Sequence, residues 1–248
     1  MKKYAPGTVL SILLLAAGQS HAAAPEVTVA AAANLSQVFG LLGPEFEKAT
    51  GIHPVFSFGS TAQLTRQIQN GAPWDVIAAA DSEHVEQLDR EGLLTPGSRA
   101  VYATGILALW IPPGKTGQIA RPEDLRDSSV RIIALATPDL APYGLAARES
   151  LQHLGIWEIL QPKVVYAENV SMAKQYGMTG NADAVFTAAS LVLQEKGKVI
   201  PVPETLHRPI TQALGIVAAS KNQAAARRFA DFLRTGGGHQ ILLRNGYR

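Results

Sequence analysis

The chain contains no cysteine, which excludes disulfide staples, thiolate metal sites and a cysteine nucleophile, and leaves stability to packing. At 248 residues it can bury a core without staples. Long apolar runs are scarce as well. The one near the N-terminus, Val9 to Ala17, is shorter than the roughly 20 residues a spanning helix needs, and no later segment comes close. An excess of one charge is missing too: 22 basic residues face 20 acidic ones, and Lys2 and Lys3 account for the difference. No basic stripe with interleaved aromatics is present, so nucleic acid is not expected as a partner.

Catalytic signatures are also lacking. There is no Gly-x-Ser-x-Gly elbow, no His-Glu-x-x-His and no glycine-rich phosphate fingerprint. His53, His84, His153, His207 and His239 stand without a partner at ligand spacing, and read as solvated helix-face or loop residues rather than a metal set. Asp75 and Asp81 flank a strand; lying at its two ends, they read as caps of the turn and of the next helix rather than as a pair of catalytic carboxylates.

What is present begins with a targeting segment. Lys2 and Lys3 form a basic head, Val9 to Ala17 an apolar stretch, and Ser20-His21-Ala22 places small residues where a signal peptidase cuts. Residues 1–22 are read as a signal peptide, with the mature chain starting near Ala23. No cysteine stands there to take a lipid anchor. A secreted, soluble protein is expected.

From there the pattern alternates strand and helix, which argues for an α/β fold with mainly parallel sheets. Val27 to Ala31, Val55 to Phe58 and Val76 to Ala80 read as strands, with helices behind them from about Asn34, Thr61 and Ser82. Gly105 to Ile111 reads as one strongly apolar strand. A second alternating run follows through Arg131 to Ala136, Val164 to Tyr166, Ala184 to Thr187 and Val199 to Val202. Leu214 to Ala218 and the helix Gln223 to Leu233 come last, ahead of a Gly236-Gly237-Gly238 tail. Two α/β lobes suit this length better than one block. The division expected is 23–104 for the first lobe, 105–212 for the second and 213–248 for the return to the first, with hinges near Thr104 and Gln212.

Four places share one local grammar, in which an apolar run ends in small or polar residues and a helix opens at once. They are Ala32-Ala33-Asn34, Gly59-Ser60-Thr61, Ala141-Pro142-Tyr143-Gly144 and Glu168-Asn169-Val170. Such corners carry unpartnered N–H groups and the positive end of a helix dipole, and so favour anions. None has a Lys or Arg within a residue or two. In an open α/β architecture they fall at the carboxyl ends of strands, where ligands bind. For a single corner the bland account is stronger, since Asn, Ser and Thr cap helices whatever the function; four together favour a site for a small oxyanion held without countercharge. Arg66 and Arg148, on helices behind the corners, are expected outside it, and Gly59 and Gly144 would let backbone approach the anion.

The motifs also carry a resemblance. Val29-Ala30-Ala31-Ala32-Ala33-Asn34-Leu35, Phe58-Gly59-Ser60-Thr61, Gly71-Ala72-Pro73-Trp74-Asp75-Val76 and Ala79-Ala80-Asp81 resemble the first lobe of the periplasmic molybdate-binding proteins. Thr137-Pro138-Asp139-Leu140-Ala141-Pro142-Tyr143-Gly144, Glu168-Asn169-Val170 and Gly180-Asn181-Ala182-Asp183-Ala184 are similar to their second lobe. The resemblance implies a type II periplasmic binding protein, two α/β lobes with a ligand cleft between them, serving as the substrate-binding component of an ABC importer. It implies molybdate or tungstate as the oxyanion ligand, no cofactor, no metal coordinated by side chains, a membrane permease with its ATPase as partners, a monomer, and a periplasmic location. The ligand residues implied are Asn34, Thr61, Tyr143 and Val170, with Ala33 and Ser60 beside them. Some members carry Ser where this chain has Asn34 or Thr61, and others donate from a Tyr near Phe186 to Ala188, where none stands here; Tyr143 is expected to supply the phenol instead. The other readings are a binding protein for sulfate or chromate, and a secreted enzyme of unidentified activity. A transcriptional effector domain is disfavoured, because only a signal peptide precedes the first lobe.

Overall fold

The computed structural model describes residues 1–2, 25–115 and 119–248; the cleavage point expected near Ala23 and nearly all of the export segment lie outside them. The alternating pattern folds into two five-stranded sheets with helices against them. The first sheet has the order β2-β1-β3-β10-β4, from β1 (Glu26–Ala32), β2 (His53–Gly59), β3 (Val76–Ala78), β4 (Ala100–Gly105) and β10 (Ile210–Ile216). The second has the order β7-β6-β8-β5-β9, from β5 (Leu107–Ile111), β6 (Ile133–Ala136), β7 (Val164–Ala167), β8 (Ala184–Ala188) and β9 (Lys198–Pro201). The helices are α1 (Ser36–Thr50), α2 (Thr61–Gln69), α3 (Glu83–Arg90), α4 (Pro142–His153), the short α5 (Trp157–Leu160), α6 (Val170–Met178), the short α7 (Ala189–Val192), α8 (Gln223–Thr235) and α9 (Gly237–Arg244). Among the described residues no helix is long and apolar enough to cross a membrane.

The sheets are mixed rather than mainly parallel. β1 runs parallel to β2 and β3, and β6 to β7 and β8, but β10 is antiparallel to β3 and β4, and β5 to β8 and β9. The reason lies in the connectivity. β5 and β10 each start at the junction between lobes and run away from it, whereas β1, β3, β6 and β8 run toward it.

Three expectations are corrected by the pairing. The apolar stretch read as one strand from Gly105 is two: β4 ends at Gly105 in the first sheet, and β5 opens at Leu107 in the second. The chain returns before Ile210 rather than at Gln212, because Ile210 already pairs with Gly105. The glycine tail is the N-terminus of α9, which holds Leu242 fully buried in the first core. Beyond it, Thr104 and Arg248 exchange backbone hydrogen bonds and Tyr247 bridges to Gly105, so the last residues are sewn onto the crossing strand.

Each lobe has its own core. In the first, Phe229 of α8 meets Phe39 and Phe46 of α1 edge-on, with centroids at 5.8 and 5.2 Å, a geometry that aromatic quadrupoles favour. In the second, Trp110 and Phe186 lie among the aliphatic residues of β5, β6 and β8. Ala32, Ala33 and Ala80 of the first lobe pack into that second core, so the two lobes are closed on each other.

Candidate functional site

All four corners meet at one pocket. Ala32, Ala33 and Asn34 come from the end of β1, Gly59, Ser60 and Thr61 from the β2–α2 junction, Ala141, Pro142 and Tyr143 from the start of α4, and Asn169 and Val170 from the start of α6. Ala80, after β3, completes the wall, and among the described residues no charged one lines it. The cavity volume is about 10 Å³, the room of one small group and far below the 300 Å³ or so at which pockets for larger organic ligands begin. It suits a small, compact solute.

The polar groups in this pocket are more informative than their residue types. Ser60 sits at the N-cap position of α2 with extended backbone, yet its hydroxyl caps nothing. The oxygen is buried and meets no partner among the described residues. Capping therefore does not account for this corner, and a buried hydroxyl left unpaired is costly by about 1 to 3 kcal/mol unless something else bonds it. Thr61, the first residue of α2, accepts the Ala80 N–H at 3.0 Å and keeps its own proton to donate. At the fourth corner Asn169 does cap, accepting the Met172 N–H at 3.0 Å, and Val170 follows at the first helical position. Among the described residues, the backbone N–H groups of Ser60, Thr61, Tyr143 and Val170 meet no acceptor. Ala33 and Val170 have their carbonyls occupied, by the Ser171 hydroxyl at 2.9 Å and the Thr187 hydroxyl at 3.1 Å.

Asn34 and Tyr143 are placed differently from the simplest expectation. The Asn34 amide nitrogen donates to Gln212 Oε1 at 2.9 Å and to the Tyr247 hydroxyl at 3.1 Å, while its Oδ1 is buried and has no partner among the described residues. The Tyr143 hydroxyl accepts from Gln212 Nε2 at 2.9 Å and sits against Gly105, where a side chain would collide with both groups. Its phenol thus reaches the crossing between lobes. Burial, followed by repulsion from other phenols, pushes the Tyr143 and Tyr102 hydroxyls well above their ordinary pKa, so both stay neutral and keep a proton to donate.

Gln212, Tyr102, Tyr247 and Ser190 were not legible as site residues. Tyr102 reaches both Ala79 O and Gln212 Oε1 at 2.8 Å, Tyr247 donates to Asn34 O at 2.8 Å, and Ser190 reaches Asn34 O at 3.2 Å. One signal existed: Gln212 is a polar residue inside an apolar strand, and it is fully buried. Gly144 serves packing, since a Cβ there would strike the Ala136 carbonyl; at Gly59, the end of β2, the nearest atoms belong to Gln63 and Leu64 of the helix that follows, α2. Arg148 pairs loosely with Asp139 at 3.7 Å, and neither it nor Arg66 lines the pocket. Asp81 accepts the His84 N–H at 2.9 Å as a helix-start cap, and Asp75 is held at the far end of β3 by Thr28 and Ser220. Among the described residues no three His, Asp or Glu side chains stand together as a metal site.

Two lobes joined by two crossings and closed on a small pocket of helix N-termini define a cleft-type solute-binding protein. The chain belongs to the family of bacterial extracellular solute-binding proteins, which it matches over residues 27–248. It is 36% identical over 230 residues to the molybdate-binding protein ModA of Rhodobacter capsulatus, covering 91% of this chain and 89% of that one. The molybdate-binding protein ModA of Azotobacter vinelandii is 36% identical over 248 residues, with 96% and 97% covered. The solved structure of the Azotobacter vinelandii periplasmic molybdate-binding protein superposes with a TM-score of 0.85 at 33% identity, over 90% of this chain and 98% of that one. The resemblance read from the motifs is borne out across both lobes, and so is the two-lobe α/β architecture. The family's work is binding solutes for transport, not catalysis.

Proposed function

We propose that this chain is the substrate-binding component of an ABC importer and that it captures molybdate, and tungstate equally, in the periplasm. The observation that carries the reading is the pocket itself, where four strand-to-helix corners meet, three of them with free N–H groups and one with the unpaired Ser60 hydroxyl, around one small space that no charged side chain among the described residues lines. A dianion loses much solvation on entering, and preorganised charge-assisted hydrogen bonds, worth about 1.5 to 3 kcal/mol each, make that up. The ligand set is Asn34, Thr61, Tyr143 and Val170, with Ala33 and Ser60 adjacent. No cofactor is required. The relatives' names support the ligand, and one relative, 27% identical, is named a putative ABC transporter substrate-binding lipoprotein of Bacillus subtilis. The partners are then a membrane permease and its ATPase, the working form is a monomer, and the export segment is cut near Ala23.

Calorimetric titration with molybdate, tungstate, sulfate, chromate and phosphate tests this. Molybdate and tungstate should bind tightly and alike, and sulfate far more weakly, because donors set for a larger tetrahedron leave groups unpaired around a smaller one. Equal sulfate affinity would overturn the assignment of the anion. Hydrolytic turnover of any substrate without oxyanion binding would overturn the function itself.

A further inference from the structure

The buried cluster behind Asn34 admits two proton orders, because the nitrogen and oxygen of an amide occupy the same kind of position and exchange by a half-turn. In the first order the Asn34 Nδ2 donates to Gln212 Oε1, and Gln212 Nε2 donates to Tyr143. Tyr102 then lies 2.8 Å from two acceptors, Ala79 O and Gln212 Oε1, with one proton for both. One of these close oxygen pairs must go without a proton. The Tyr143 proton finds no acceptor among the described residues, and Asn34 Oδ1, buried, finds no donor.

In the second order both amides are turned. Tyr102 donates to Ala79 O, which can only accept. Gln212 Nε2 donates to the Tyr102 oxygen and to Asn34 Oδ1, and Gln212 Oε1 accepts the Tyr143 proton. The pair left without a proton is now Asn34 Oδ1 and the Tyr247 oxygen, whose separation is the longer 3.1 Å, while Tyr247 keeps its donation to Asn34 O. What is freed is an Asn34 N–H with no partner among the described residues. Asn34 lines the pocket and is 1% exposed.

We propose that Gln212, anchored by Tyr102 on the Ala79 carbonyl, is a positioning residue that presents the Asn34 side-chain N–H to the bound oxyanion and so selects a fully deprotonated anion over a protonated one. This rests on the oxyanion reading of the pocket. The first order leaves an unpartnered amide oxygen on a residue that lines the pocket, which repels a dianion; the second leaves a donor there instead. A hydrogen phosphate, which carries a proton, needs the acceptor that the second order withdraws. The relay Ala79 C=O, Tyr102, Gln212, Asn34 thus converts a fixed main-chain acceptor into a fixed donor at the site.

The test compares the wild type with Gln212→Met and Tyr102→Phe, each first shown by circular dichroism and thermal unfolding to be folded without ligand. Calorimetry at neutral pH with molybdate and with phosphate gives affinity and selectivity. Amide NMR follows the Asn34 side-chain resonance, identified by its loss in Asn34→Asp. In the wild type that resonance should shift on adding molybdate. Gln212→Met should weaken molybdate about tenfold or more, the loss of one charge-assisted bond, and should narrow the preference for molybdate over phosphate; Tyr102→Phe should move both in the same direction. A purely structural role would lower the unfolding temperature and leave selectivity and the Asn34 shift as they are, and that result overturns the relay. Wild-type protein that binds neither molybdate nor tungstate would instead overturn the oxyanion reading on which the relay stands.

Discussion

Ser171 on α6 donates its hydroxyl to the carbonyl of Ala33 at 2.9 Å, a bond that spans the two lobes beside the pocket. Ser190 to Asn34 O at 3.2 Å and Ala62 N–H to Leu140 O at 3.2 Å span them as well. These bonds exist only when the lobes are closed, so they bias closure, and a ligand that binds the closed form is helped by each. Ser171→Ala should weaken oxyanion affinity by about 0.5 to 1.5 kcal/mol without touching the anion. Titration measures the loss, and solution scattering of the ligand-free variant should report a larger radius of gyration. Unchanged affinity in a Ser171→Ala, Ser190→Ala double variant would show that closure does not depend on them.

Ser60 and Thr61 should respond oppositely in the ligand-free protein. The Ser60 hydroxyl has no partner, so Ser60→Ala removes an unsatisfied buried group and should leave the ligand-free unfolding temperature unchanged or raise it, while weakening anion binding. Thr61→Val strips the Ala80 N–H of its acceptor and should destabilise the free protein by about 1 to 3 kcal/mol. The reason differs from the capping role its sequence position suggests, because the N-cap is Ser60 and Thr61 is the first helical residue. Denaturant unfolding with and without molybdate separates the two effects.

Tyr143→Phe should weaken binding by about 1 to 3 kcal/mol, since Gln212 loses its partner and the junction between lobes loses a bond. Arg148→Ala should change affinity by less than about 0.5 kcal/mol, because its charge lies outside the pocket, loosely paired with Asp139. Titrations giving the reverse order would mean that countercharge holds the anion.

His84 supplies a pH dependence. Its hydrogen bond to Asp81, with smaller charge contributions from Asp81 and Glu83 against desolvation and Arg66, holds the imidazole above its ordinary value of 6.5. A raised folded value means that the protonated form favours the fold. The contribution is complete below the unfolded value near 6.5 and is lost as the pH rises through the raised one. The unfolding temperature of the wild type should therefore exceed that of His84→Gln by most at mildly acid pH, with the gap closing toward alkaline pH. A gap that widens with pH would contradict the assignment. Molybdate affinity should be the same in both, since His84 does not line the pocket.

The alternation of strand and helix, the four corners and the absence of charge near them were legible in the sequence because each is a local property. A strand that ends in small residues before a helix leaves the first N–H groups unpartnered wherever it is placed. The two lobes followed from the alternation and the chain length, and the resemblance of the same motifs to a family covers both of them in order. Strand direction was less legible, since periodicity marks a buried strand but not its sense, and β5 and β10 run against their neighbours because of where the chain crosses. The segment from Gly236 read as a tail because it opens on three glycines, yet it forms α9 and delivers Tyr247 to Asn34.

What the sequence by itself determined is therefore the set of donors that helix N-termini must carry and the neutrality of the ground around them. Which of the side chains is free to use was decided only by tertiary structure, since a hydrogen bond depends on partners brought from far along the chain. Asn34 meets Gln212 from 178 residues away. Thr61 is occupied by Ala80 and Asn169 by its own helix, while among the described residues the Ser60 hydroxyl and Asn34 Oδ1 are left unpaired at the pocket because nothing in the fold reaches them.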